Sequence, residues 1–153
     1  MPRVEQLSPE QMTRLLLLTS DGSVPDKLVE VVAERERQGP VEARVLVPLA
    51  PVPDAWTWDE EATRNEMLVR LDAALEKLRR TGARVEGTIG CDRDAMVCVN
   101  WAMDREQFDE VIVATPRSGR ARLLKMDLAA RIGRAFGVPV THVAAGSRAP
   151  ATA

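Results

Sequence analysis

The chain has 153 residues, 45% of them hydrophobic and 29% charged, with a formal net charge of −2. That balance is too apolar for a disordered chain and lacks the basic surplus of a general nucleic-acid binder. The five scattered aromatics (Trp56, Trp58, Trp101, Phe108, Phe136) make no base-stacking platform, and no apolar run approaches the roughly 18 residues of a membrane span. No nucleic-acid or membrane partner is expected. The N-terminus lacks the basic, apolar and small-residue order of a secretory leader, so the expected location is cytoplasmic. Cys91 and Cys98, with His142 as the only histidine, make poor metal-site material and read as reduced structural thiols.

Residues 1–12 read as a flexible lead-in. Thr13 to Ser20 carries four consecutive leucines and ends at Asp21-Gly22-Ser23; the short length and abrupt punctuation predict a strand buried on both faces. Asp26 is placed as an N-cap, and Leu28, Val31, Val32 and Arg35 then repeat at helical spacing up to Gly39-Pro40. Val41 to Ala50 alternates and then turns apolar, predicting a second strand that Pro48 limits or ends.

A proline- and tryptophan-bearing loop, residues 51–58, leads to Thr57 and Glu60, spaced as a capping box. Met67, Leu68, Leu71, Ala74, Leu75 and Leu78 form the apolar stripe of the clearest helix, which stops at Thr81-Gly82. Residues 83–90 alternate as a third strand. Asp92 or Asp94 caps a helix whose inward face is Ala95, Met96, Val99, Ala102 and Met103, and Trp101 reads as part of the same helix's packing. Residues 109–115 form a fourth strand, and a helix bearing Leu124, Leu128, Ile132 and Phe136 stops at Gly137. The last strand is 138–143, and residues 146–153 read as a flexible tail.

Strands and helices thus alternate throughout, which predicts one domain over residues 13–145. Its fold class is α/β, a three-layer α/β/α sandwich around a parallel sheet. In such sheets ligands bind beyond the carboxyl ends of the strands, where strand order reverses. That rule selects Asp21-Gly22-Ser23 after the first strand and Thr115 to Asp127 after the fourth. The second junction is a strand, a small polar turn and a helix start, an arrangement that commonly holds phosphate on free backbone N–H groups. Arg117 and Arg120, flanking Ser118-Gly119, are placed to meet a small anion. Arg122, Arg131 and Arg134 read as the solvated face of a helix.

Several segments together resemble the universal stress protein family. Leu17-Leu18-Thr19-Ser20-Asp21-Gly22-Ser23 matches its first strand and turn, and Gly90-Cys91-Asp92-Arg93-Asp94-Ala95 resembles the entry to its third helix. Residues 109–115 and 137–143 resemble its fourth and fifth strands. The resemblance implies a five-stranded sheet of order 3-2-1-4-5 and a homodimer joined along the last strand, here 138–143. It also implies an ATP site with Asp21 near ribose and phosphates, Ala50 at the adenine contact, and a Gly-x2-Gly-x9-Gly-Ser/Thr loop after the fourth strand.

Here Ala114 and Arg117 stand at the first two glycines and Met126-Asp127 at the closing pair, with one residue fewer between. Side chains at those places hinder the positive φ and close backbone approach that glycine allows. Asp127 reads either as an anion supplied by the chain to a helix start, or as an ordinary N-cap or an exposed acid within a helix. A carboxylate at the helix start would repel a triphosphate.

The expected function is that of a universal stress protein-like regulatory or stress-response protein. It acts as a dimer through an unidentified protein partner and does not bind ATP tightly. The alternative is a module for a smaller adenine nucleotide such as AMP, or another anion. That ligand would meet Asp21, Ala50, Ala114, Thr115, Arg117, Ser118, Gly119, Arg120 and Asp127. No cofactor or metal is called for by the residues. An enzyme is the reading they support least, since the crevice offers acids without a nucleophile and base in an evident pairing.

Overall fold

The computed structural model describes residues 12–19, 24–48, 60–90, 94–115 and 120–144. The predicted tails and the loops holding Asp21, Ala50, Trp56, Trp58 and Arg117-Ser118-Gly119 lie outside the described residues. In chain order the elements are β1 (Thr13–Leu18), α1 (Asp26–Gln38), β2 (Val41–Val47), α2 (Glu60–Arg79), β3 (Arg84–Ile89), α3 (Ala95–Arg105), β4 (Glu110–Thr115), α4 (Arg120–Phe136) and β5 (Val140–Ala144). All pairings are parallel and the sheet order is β3-β2-β1-β4-β5. The expected 3-2-1-4-5 sheet is therefore the observed one.

The four leucines occupy the central strand. Leu15 and Leu17 point into a core made with α1 and α2, while Leu16 and Leu18 point into a second core made with α3 and α4. All four are at most 1% exposed. A strand covered by helices on both faces has no solvated side, so it reads as a continuous apolar run.

β2 shows where that cover stops. Val41, Ala43, Val45 and Val47 face α1 and α2, but on the other face only Leu46 is in the core. Lower on that face lie ion pairs: Arg14 with Glu42 at 3.4 Å, and Arg44 with Glu106 at 2.6 Å and Glu86 at 3.4 Å. The alternation in the first half of β2 marks sheet surface that α3 leaves open. β2 ends at Val47, not Ala50, because Pro48 follows and has no N–H to continue the ladder.

Helix ends differ in detail from the sequence expectation. Asp26 is the first residue of α1 rather than its cap; Pro25 holds the N-cap position, and its carbonyl accepts from Leu28 at 2.9 Å. Asp26 instead pairs with Lys77 of α2 at 2.8 Å, and that hydrogen bond and charge lower its carboxyl below the usual range. Of the two acids considered for α3, Asp94 is the cap and accepts from the Met96 amide at 2.9 Å. Gly82 and Gly137 close their turns with φ of +97° and +65°, a region that disfavours side chains. β5 begins at Val140, two residues later than expected, and runs to Ala144.

Candidate functional site

Strand order reverses between β1 and β4, so the crevice of this sheet opens above Leu18 and Val113, which are in register. Its described floor is Thr19, 2% exposed, and Ala114, 5% exposed. Thr19 donates its backbone N–H to the Leu46 carbonyl at 3.2 Å, which fixes the chain where it leaves β1 toward Asp21. Sequence reasoning omitted Thr19 from the site because a threonine at a strand's end carries no signal of its own. Lys77 holds the other end of the same connection. Its Nζ donates to the Val24 carbonyl at 2.9 Å as well as to Asp26. That reach across 53 residues has no mark in the sequence either.

Of the nine candidate residues, Ala114 and Thr115 end β4, Arg120 opens α4 and Asp127 lies within α4. Of the readings open for Asp127, the helix start is not observed and the exposed acid within a helix is. α4 already begins at Arg120, so Asp127 is its eighth residue and is exposed. At 1.5 Å per residue it sits roughly 10 Å along the axis from the helix start. A carboxylate so placed does not occupy the positive end, where dipole effects are confined to about one turn. The first turn of α4 carries no acid at all.

The same bounds change the reading of the altered nucleotide loop. Only residues 116–119 separate β4 from α4. Positions 120–127, which the resemblance would place in the second half of a phosphate loop, belong to a helix instead. Inside a helix the backbone N–H groups beyond the first turn bond to carbonyls four residues back and cannot meet a ligand. Among the described residues no cluster of three or more His, Cys, Asp or Glu side chains could hold a metal. No helix among them is long and apolar enough to cross a membrane.

A second cavity, which the sequence did not suggest, lies at the far side of the sheet. It measures about 270 Å³ and is lined by Thr88, Ile89, Gly90, Val97, Cys98 and Trp101. Gly90 lets Cys98 of α3 approach the strand beside it, since a Cβ there would collide with Cys98 Sγ. Trp101 was expected to belong to helix packing alone, yet it is 38% exposed, with the Arg105 guanidinium 4.3 Å from its ring centre.

The fold and crevice define a class: an open, doubly covered parallel α/β sheet with a potential binding crevice at its switch point. Neither a family model nor a curated protein matches the sequence. Among solved structures the chain is similar to a protein from the universal stress protein family of Burkholderia pseudomallei. The TM-score is 0.51 at 18% identity, covering 84% of this chain and 94% of that one. At that identity the likeness concerns the fold.

Proposed function

We propose that this chain is a universal stress protein-like regulatory protein that does not retain ATP and works in the cytoplasm as a homodimer, through a protein partner. One observation carries the nucleotide half of this reading. The β4–α4 connection is four residues long, and helix occupies positions 120–127, where a triphosphate would need a glycine loop. The fold likeness supports the broader assignment. Native mass spectrometry of the purified protein should show no bound nucleotide, and calorimetric titration with ATP should give a Kd weaker than about 0.1 mM, above roughly −5.5 kcal/mol. Because Asp127 lies away from the helix start, Asp127→Ser should leave ATP affinity within about twofold. ATP carried through purification would sink the reading.

The alternative, a site for AMP or another small anion, is favoured by the absence of acid from the first turn of α4. In the same titration, micromolar AMP binding lost in Arg117→Ala would establish it.

Dimerisation along β5 is supported by the strand's position and phase. β5 ends the sheet. The Pro139 carbonyl accepts from Val111 at 3.0 Å and so points toward β4. By alternation, the backbone groups of Val140, His142 and Ala144 point the other way. Proline thus falls on the inner phase, where its missing N–H does not interrupt pairing with a partner. Light scattering should give twice the chain mass, and Val140→Pro, which removes an outward N–H, should give the monomer. A wild-type monomer would refute this part.

A further inference from the structure

We infer that the free edge of β3 is a docking site for an extended peptide segment of a partner protein, which adds to the sheet as a sixth strand. The inference rests on the reading that the protein acts as a β5 dimer through partners, and it names the surface and the chemistry of that partner.

β3 is the other end of the sheet, and no described strand lies beyond it. The Gly90 amide donates to the Val47 carbonyl at 2.7 Å, which fixes the phase of the strand. The N–H and C=O groups of Val85, Gly87 and Ile89 therefore point outward. Arg79 of α2 donates to the Val85 carbonyl at 3.2 Å and so occupies the lower end of this edge. Among the described residues, Gly87 and Ile89 remain as the template for strand addition.

Both helices beside this edge offer apolar contacts. The four exposed large hydrophobic residues of the described chain are Leu68 and Val69 of α2 and Val97 and Trp101 of α3. Lys77 marks the flank of α2 that faces α1, and Arg79 marks the opposite flank, toward β3. At 100° per residue, Leu68 lies on the same flank of α2 as Arg79.

On the other face, the roughly 270 Å³ cavity beneath Val97 and Trp101 adjoins Thr88 and Ile89. It is smaller than the roughly 300–1,000 Å³ of pockets for drug-sized ligands. That room takes one bulky side chain.

Charge sets the other requirement. Arg84 begins β3 and Arg105 ends α3, and neither has a carboxylate partner among the described residues; with Arg79 they make the lower end cationic. Glu86, the acid between, is engaged by Arg44. Even-numbered β3 residues face α3, since Gly90 abuts Cys98 while Gly87 abuts Leu71. A side chain in the cavity and an acid at Arg84 thus lie on one face of the added strand, an even number of residues apart. The distance from Thr88 to Arg84 makes that number four, about 13 Å of strand.

The occupant is therefore an extended segment with a bulky apolar residue and an acid four positions away. A second copy is disfavoured, because a dimer joined at β5 that also paired at β3 would grow without closure.

The test is selection of random twelve-residue peptides displayed on phage against the full-length protein, followed by synthesis of the best binder. The selected peptides should share the apolar–acid spacing. Their affinity should fall at least tenfold in Trp101→Ala and in Val97→Asp, both at exposed positions. N-methylation of one alternate set of peptide amides should abolish binding while the other set is tolerated, the signature of an added strand. No enriched sequence, indifference to both variants, or equal tolerance of the two methylated sets would overturn the proposal. So would a dimer that Trp101→Ala dissociates, since the edge would then serve a second copy. Light scattering of the same samples separates the two readings: a monomer that still binds the peptide in this way refutes the β5 dimer and leaves the docking site standing.

Discussion

Leu17→Ala should lower the stability of the folded chain by about 3–5 kcal/mol, near the upper end for a leucine truncation. Leu17 is completely buried in the central strand, with Val45 of β2 and Ile112 of β4 in register on either side. It belongs to the core beneath α1 with Leu28 and Val32. Neighbours held by two hydrogen-bonded ladders and a covering helix cannot collapse into the space of the missing isobutyl carbons. The cost is then the lost transfer energy together with an unfilled cavity. For a chain of this length the change amounts to roughly 6–20 °C in Tm. Urea unfolding should show the midpoint falling with its slope unchanged. Leu68→Ala is the matched control: Leu68 is 47% exposed, and its truncation should cost no more than about 0.5 kcal/mol. If Leu17→Ala cost no more than the control, β1 would not be the centre of this fold.

The same leucines show why the architecture is legible in the sequence. A buried parallel strand must be apolar at every position, and helices over a sheet must carry an apolar stripe and a stop. These constraints are periodic, so the first strand from Thr13, the stripe of Met67, Leu71, Ala74, Leu75 and Leu78, and the stops at Gly82 and Gly137 kept their places; Leu68, expected in that stripe, is exposed instead, because it lies at the stripe's margin. The site was less legible because it depends on where a helix begins, not on period. Arg120 to Met126 is a run of strong helix formers with no glycine, and α4 starts at its first residue. Reading those positions against a glycine-loop motif set Asp127 at a helix start as one of two readings, and helix propensity decides for the other, an exposed acid within the helix.

Trp101 illustrates a second kind of miss. Its helical spacing suits packing, but α3 lies near an edge strand whose lower half is polar, so the ring meets a cavity and an arginine. Which strand lies beneath a helix is a property of sheet order, not of the helix.

Long-range polar ties are the least legible feature, and the strongest of them gives the last prediction. Glu110 opens β4 with a side chain only 13% exposed, and Arg35 of α1 donates to its two oxygens at 2.9 and 3.0 Å. The Thr141 hydroxyl of β5 donates to the same carboxylate, so one side chain fastens three elements. The Arg35 hydrogen bonds, aided by Thr141 and opposed by partial burial, hold the Glu110 carboxyl below the usual range.

Glu110→Ala should cost about 2–3 kcal/mol at pH 7. That is less than the 3–5 kcal/mol of a fully buried pair, because Arg35 keeps 28% of its side chain in water. The pH dependence has a definite sign. A carboxyl with a folded pKa below its unfolded value, about 4.3, contributes its full increment above that value and loses it as pH falls through the folded pKa. The stability difference between wild type and Glu110→Gln should therefore be flat from pH 8 to about 5 and shrink below about 4. Other carboxylates titrate in that range too, but they are common to both proteins and cancel in the difference. A difference as large at pH 3 as at pH 7 would mean that Glu110 stabilises by packing rather than by charge. In that case the tie from α1 to β5 would not be the ionic clamp that its geometry describes.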